Sequence, residues 1–213
     1  MSQIILDFGS GNTHKNNWGY LKRMLDELKA IDTGKHEVII KHQLFEKAGN
    51  NIPLLPEIFD AAYEYAKDLG YKVTSSVFDK PSLDFLLKYD IPFVKIANNR
   101  ELDWLISEIP RKIPVYVSYG SYEELKKRQM YPDIKYLLCV SEYPAIIERY
   151  EQAFKSNYFG FGGDVGISDH TTNFGLWYRY KPAIIEMHYK LEDSTGLDAG
   201  DFARTPRTLK EVL

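Results

Sequence analysis

Two histidines and two lysines carry most of the chemistry this sequence could do. Ser168-Asp169-His170 and Glu186-Met187-His188 each end a short apolar run. Neutral imidazoles placed this way suit a divalent ion of the Mn, Fe, Co or Zn type, and a site with two protein ligands leaves positions open for a substrate. Two hydrogen-bonded strand-end histidines would show the same spacing, and spacing alone favours neither. Lys41 and Lys95 interrupt otherwise apolar runs, which costs free energy unless an anion compensates. A phosphate or carboxylate is the natural partner, with hydroxyl donors from Ser76, Ser118 and Ser168. An internal ion pair with Asp7 or Glu186 is the competing reading.

Such residues converge only if the fold brings strand ends to one face. Short apolar, β-rich runs recur at Ile4–Leu6, Val38–Ile40, Tyr71–Val77, Phe93–Ile96, Val115–Val117, Tyr136–Val140, Val165–Ile167 and Ala183–Met187. They are near-continuous rather than alternating, which predicts strands buried on both faces of a parallel sheet. Helical periods lie between them: Leu21, Leu25 and Leu28 in the first, Ile58, Ala62, Tyr65 and Leu69 in the second. Further helices are expected from near Pro81, Glu101, Tyr122, Pro144 and Thr171, and over Pro206 to Leu213. Lys80-Pro81-Ser82, and Ser121 before Glu123-Glu124, read as first-turn signals.

Eight strand–helix units of about 27 residues each predict an α/β chain folded as a single compact (β/α)8 TIM barrel over residues 1–213. Longer loops are expected at His42–Pro53 and Ser156–Asp164. In such a barrel the site gathers at the C-terminal ends of the strands. The residues there are Asp7, Lys41, Gln43, Ser76, Lys95, Asn98, Ser118, Ser141, Ser168, His170 and His188, a cationic pocket able to take a metal.

A formal charge of -3 with no dense Lys/Arg block argues against a nucleic-acid partner. No run approaches the roughly 18 apolar residues of a membrane helix, and the N-terminus reaches Asp7 too soon for a secretory signal. A cytoplasmic location with no membrane partner is expected. The single cysteine cannot form an internal disulfide, and Cys139 within Tyr136-Leu137-Leu138-Cys139-Val140 reads as a packed thiol. Phe159-Gly160-Phe161-Gly162-Gly163 reads as a flexible connection rather than a phosphate cradle, because no helix start follows it. His14 and His36 are expected in solvent, and His42 is open between the mouth and the outside.

One pair of segments is more specific. Val165-Gly166-Ile167-Ser168-Asp169-His170-Thr171 and Ile184-Ile185-Glu186-Met187-His188-Tyr189 resemble the G-x-S-D-H-T and I-E-K-H-F segments of the sialic acid synthase (NeuB-like) barrels. Those enzymes condense phosphoenolpyruvate with an N-acylated aminohexose. Lys41-His42-Gln43 resembles that family's V-K-F-Q, Ser76-Val77-Phe78-Asp79 its T-P-F-D, and Leu138-Cys139-Val140-Ser141-Glu142-Tyr143-Pro144 its H-C-x-S-x-Y-P. Gly196-Leu197-Asp198 resembles its G-P-D turn.

The resemblance implies that His170 and His188 hold a divalent metal, Mn or Mg. It implies that Lys41, Gln43, Ser76, Lys95, Asn98, Ser118, Ser141 and Ser168 surround phosphoenolpyruvate, with Tyr143 nearby, and that Asp198 hydrogen-bonds an open-chain aldose. Asn12, in the counterpart of the family's E-I-G-x-N-H-x-G segment, joins the substrate-binding set. Arg100 occupies the column of the family's catalytic glutamate unless the loop gains one residue, in which case Glu101 takes the catalytic role together with Lys95. The implied partners are phosphoenolpyruvate and an aldose acceptor, with a homodimer allowed, in a chain without the family's C-terminal antifreeze-like domain. The alternative is a catalytically degenerate barrel that binds a sugar, a sugar acid or a protein. A third reading is a barrel lyase or aldolase using Lys95 as a Schiff base.

Overall fold

The structure, a computed structural model, describes residues 1–47, 49–121, 124, 134–156 and 165–213. Strands and helices alternate: β1 (Gln3–Asp7), α1 (Gly11–His14), α2 (Trp18–Ile31), β2 (Glu37–Leu44), α3 (Pro56–Asp68), β3 (Lys72–Val77), α4 (Lys80–Leu86) and β4 (Val94–Ile96). They continue with α5 (Leu105–Glu108), β5 (Val115–Tyr119), β6 (Ile134–Cys139), α6 (Ile147–Ser156), β7 (Val165–Asp169), α7 (Gly175–Tyr180), β8 (Ile184–His188) and α8 (Pro206–Leu209). The eight strands run parallel and close, β8 pairing back onto β1, as the (β/α)8 barrel the sequence predicts. Among the described residues no helix is long and apolar enough to cross a membrane.

Local chemistry sets several boundaries. Asp79 caps α4, its carboxylate accepting from the Ser82 amide at 2.8 Å, with Pro81 in the first turn. The helix expected from Glu101 shrinks to a 3-10 turn at Arg100–Leu102 followed by the four residues of α5. Pro110 forces the residue before it out of the helical region, and Ile109 is extended at φ -79, ψ 128. The helix expected from near Thr171 starts only at Gly175, and the one from near Pro144 at Ile147. The last helix ends at Leu209 after a Thr205/Thr208 capping box. The loop expected from His42 begins later, because Gln43 and Leu44 still pair with Ser76 and Val77 of β3. Tyr122 and the Phe159–Gly163 stretch lie outside the described residues.

Alternation along each strand sorts side chains into two cores. Ile4, Leu6, Val38, Ile40, Ile185 and Met187 face outward and join the helices in one large cluster. Ile5, Ile39, Phe93, Tyr116, Leu137 and Ile184 form a separate cluster inside the barrel. Phe93 and Tyr116 stack there with ring centroids 3.8 Å apart. Gly166, paired with Leu137, makes room for this layer, since a Cβ there would come within 2.9 Å of the Ile184 carbonyl. Two residues further along the same strands stand Asp7, Lys41, Lys95, Ser118, Cys139 and Glu186. An apolar floor thus supports a polar layer of matching parity.

One histidine is placed where the sequence did not predict, and another, whose orientation the sequence leaves open, faces outward. His14, expected in solvent, ends α1 buried, and His42 faces outward between Phe8 and Phe59, fully buried. None of their four ring nitrogens has a hydrogen-bond partner. His36 is partly exposed, and its Nδ1 accepts from the Ser2 amide at 3.3 Å. Burial pushes His14 down to about 4, helped by Lys15, and His42 down to about 3, helped by His14. Below about pH 6.5 the unfolded chain binds protons that the folded chain refuses, so stability falls as pH falls toward those lowered values. Each of these histidines should therefore remove about 2 kcal/mol between pH 7 and pH 5. Urea unfolding of His42→Phe at both pH values should show an acid loss smaller by about that amount; an unchanged loss would contradict the assignment.

Candidate active site

At the C-terminal ends of the strands the barrel opens into a cavity of about 730 Å3. Its base is a network of buried charges. Lys41 Nζ donates to Asp7 Oδ2 at 2.7 Å and to Ser76 Oγ at 3.1 Å. Gln43 Nε2 donates to the same Asp7 oxygen at 2.8 Å. Lys95 Nζ donates to Ser118 Oγ at 2.7 Å and to the Ile96 carbonyl at 3.0 Å. Glu186 lies between the two lysines, 3.7 Å from Lys41 and 3.8 Å from Lys95. Its Oε1 accepts from Ser168 Oγ at 3.3 Å, and its Oε2 has no hydrogen-bond partner. The internal ion pairs weighed from the sequence are therefore present.

Burial opposes the charge on each group, and the neighbours decide the outcome. For Asp7, burial is outweighed by Lys41, His188 and Gln43, which hold its carboxyl well below the usual range. Glu186 is likewise lowered, by Lys41 and Lys95 acting against burial. Lys41 is raised, Asp7 and Glu186 overcoming its desolvation. Lys95 is lowered, because burial, with Lys41 adding to it, outweighs the attraction of Glu186. An ammonium carries three donors, and each lysine uses two in the bonds above. Each thus keeps one N–H outside those bonds, with a Glu186 oxygen 3.7 Å from Lys41 and 3.8 Å from Lys95.

The two imidazoles stand above this layer with ring centroids 5.5 Å apart. His170 Nδ1 lies 2.7 Å from the Val140 carbonyl, which turns Nε2 toward Ser168 Oγ at 3.5 Å. Burial, with His188 beside it, pushes His170 down to about 3, so its ring is neutral and keeps a lone pair. His188 Nδ1 is buried without a hydrogen bond, 3.8 Å from Asp7 Oδ2. With metal–nitrogen bonds of about 2.1 Å, two rings on one ion would stand roughly 5 Å apart, so the pair fits a divalent ion held by two imidazoles. No group of three or more His, Cys, Asp or Glu side chains with metal-holding geometry occurs among the described residues.

An aromatic collar flanks the pair. Tyr143 stacks on His170 at 4.2 Å, and Phe202 sits 4.9 Å from His188 and 5.1 Å from Tyr143. On the far side Asp198 lines the cavity with its Oδ2 unpartnered, and burial raises its carboxyl. Gly9 adopts φ +72, and a Cβ there would come within 2.9 Å of that oxygen, so glycine at this turn admits Asp198. Asn98 Nδ2 donates to Ser141 Oγ at 3.0 Å across the rim. Cys139 also faces the cavity, its thiol pushed up to about 11 by burial and so protonated.

Thus Lys41, Gln43, Ser76, Lys95, Asn98, Ser118, Ser141, Tyr143, Ser168, His170, His188 and Asp198 meet in one cavity. Two expected members do not. Glu101 is exposed on the 3-10 turn and does not line the cavity, a placement at odds with the catalytic role expected of it. That turn caps itself, Asn99 Oδ1 accepting from the Glu101 amide at 3.0 Å. Asn12 lies behind the wall. Its amide donates to Asn51 Oδ1 at 2.8 Å and accepts from the Ile52 amide at 3.0 Å, bracing the loop before α3. Glu186 could have been placed from its parity with His188, two residues on. Phe202 carries no local signal, because a long excursion after β8 brings it in.

The sequence profile of the NeuB family matches residues 31–213. Pseudaminic acid synthase of Campylobacter jejuni is 29% identical over 199 residues, covering 81% of this chain and 56% of that protein. Human N-acetylneuraminate-9-phosphate synthase is 23% identical over 173 residues, covering 70% of this chain and 47% of that one. The chain thus spans about half the length of these curated relatives. A crystal structure of N-acetylneuraminic acid synthetase from Leptospira borgpetersenii, in complex with citrate, superposes with a TM-score of 0.73 at 24% identity, over 98% of this chain and 80% of that one. A truncated 3-deoxy-D-arabino-heptulosonate 7-phosphate synthase from Thermotoga maritima shares the fold at a TM-score of 0.63 and 12% identity, over 99% of this chain and 83% of that one. With the profile spanning all but the first strand and its two following helices, the chain belongs to the NeuB family.

Proposed function

We propose that this chain condenses phosphoenolpyruvate with an N-acyl aminohexose or a related aldose, giving a nonulosonic or related 3-deoxy keto acid and phosphate. The observation that carries the reading is the pair of buried lysines, each with one donor outside the bonds described above, lying under two imidazoles 5.5 Å apart in a NeuB-family barrel. The names of the relatives, sialic and pseudaminic acid synthases, support the substrate class.

In this reading Lys41 and Lys95, with Ser76, Ser118, Ser141, Ser168 and Asn98, hold the phosphate and carboxylate of phosphoenolpyruvate. The aldose lies above, its hydroxyls on Asp198 and one face against Tyr143 and Phe202. A Mn or Mg ion on His170 and His188 would supply Lewis-acid polarisation of the aldehyde oxygen. Stacked binding sets the enol carbon against the aldehyde carbon, which replaces a bimolecular encounter with a positioned one. A carbon–carbon bond forms and the aldehyde oxygen takes a proton. Water then adds to the former enol C2, and the tetrahedral intermediate expels phosphate.

The placement of Glu101 favours one second reading, a barrel that binds these ligands without turnover. Phosphate release from phosphoenolpyruvate with Mn2+ and a panel of N-acyl hexosamines decides between the two. Release that His170→Ala and His188→Ala abolish supports the synthase. Ligand binding without release for any aldose supports the binding module. Lys95→Met should weaken phosphoenolpyruvate binding about 10- to 100-fold, the worth of one charge-assisted hydrogen bond. Glu101→Gln should change turnover by no more than about twofold, the usual scale of an exposed surface substitution.

A pH dependence follows from Lys95. Because burial holds its ammonium below the ordinary lysine value, its charge is lost sooner than a free lysine's as pH rises. Affinity for phosphoenolpyruvate should therefore fall on the alkaline side, and Lys95→Arg should move the fall to higher pH. Calorimetric titration between about pH 7 and pH 10 would show a flat profile if Lys95 does not contact the anion.

A further inference from the structure

Arg204 reaches both turns that carry the cavity histidines. Its backbone N–H donates to the His188 carbonyl at 2.7 Å, and its own carbonyl accepts from the Lys190 amide at 2.9 Å. Tyr189 and Arg204 form an isolated parallel bridge there. The guanidinium extends toward the end of β7. Nη2 donates to Asp169 Oδ2 at 3.0 Å and to the Asn173 carbonyl at 2.6 Å, and Nη1 donates to the Thr171 carbonyl at 2.6 Å. Asp169 Oδ1 in turn accepts from the Thr171 amide at 2.7 Å. His170 is thus held between two residues that the same guanidinium fixes.

Asp169 and Arg204 are 0% and 2% exposed. Successive side chains on a strand face opposite ways, so Asp169 points behind the wall while His170 faces the cavity. A buried carboxylate there needs a cation, and only a planar fork can meet a carboxylate and two carbonyls together. The ring of Phe174 lies under the guanidinium at 4.9 Å and seals it further.

We infer that Arg204 is a positioning residue for the His170/His188 pair. It yokes the end of β7 to the end of β8, fixes the separation of the two imidazoles and so sets the grip on a divalent cation. The inference rests on the reading that the pair holds such an ion. The two ammonium groups that face phosphoenolpyruvate in that reading, those of Lys41 and Lys95, hydrogen-bond to Asp7, Ser76, Ser118 and the Ile96 carbonyl and not to Arg204 or Asp169, whereas Ser168 adjoins the yoke through Asp169. With both ammonium groups in place, phosphoenolpyruvate binding should change little.

The test measures Mn2+ uptake, from loss of the free-ion electron paramagnetic resonance signal, beside metal-free calorimetry of phosphoenolpyruvate binding. It compares wild type, Arg204→Lys, Arg204→Met and the double variant Asp169→Asn/Arg204→Met. The double variant leaves no unpaired buried charge and keeps the comparison open where the single variant fails to fold. Loss of an outer-shell anchor should weaken Mn2+ binding by about 10- to 100-fold in the Met variants and less in Arg204→Lys, with phosphoenolpyruvate affinity within about twofold of wild type. Mn2+ affinity at the wild-type level in the folded double variant, or parallel losses of Mn2+ and phosphoenolpyruvate binding, overturns the inference. Wild-type protein that takes up no Mn2+ overturns the underlying metal reading, and the inference with it.

Discussion

A closed parallel barrel has nowhere to send a charge except onto another charge, and the contact between Asp7 and Lys41 meets that constraint. The two residues are register partners on neighbouring strands, 2.7 Å apart at their charged atoms, and Asp7 is also the register partner of His188. One carboxylate therefore touches the base of the site from three sides. A one-residue slip of β1 would turn Asp7 out of the barrel and bring Leu6 in. Lys41 would then keep Glu186, at 3.7 Å, as its buried carboxylate. The placement of every polar group above the floor follows from that register.

Parity explains what could be read from the residues beforehand. Eight apolar runs fix eight strands, and polar residues at their ends must share a mouth once the barrel closes. That logic gathers Lys41, Lys95, Ser118 and both histidines into one cavity. It is silent on electrostatic partners, because the sequence does not say which side chains meet across the lumen. Lys41 could equally await an anion or already own one. The structure gives it Asp7 and Glu186 while leaving one donor unused.

What escaped the sequence escaped for local reasons. Glu101 sits within an asparagine-capped 3-10 turn, and no periodicity reveals which way such a turn faces. His14 looked like a polar loop residue, yet the short α1 folds it under α2, where its ring nitrogens are buried. Asp198, Phe202 and Arg204 belong to the excursion between β8 and α8, whose path is set by tertiary contacts. Only the likeness of Gly196-Leu197-Asp198 to a family turn pointed there, and it pointed to one residue of the three.

The stacked pair of Phe93 and Tyr116, with its ring of aliphatic neighbours, has a consequence for traffic. Among the described residues it closes the lumen from below, leaving the cavity open at the C-terminal ends of the strands. In the proposed reading a molecule seated on the lysines would arrive before one seated against the aromatic collar, and its product would wait for the upper occupant to depart. That order would be a property of the plug, imposed by two rings set below both proposed ligands.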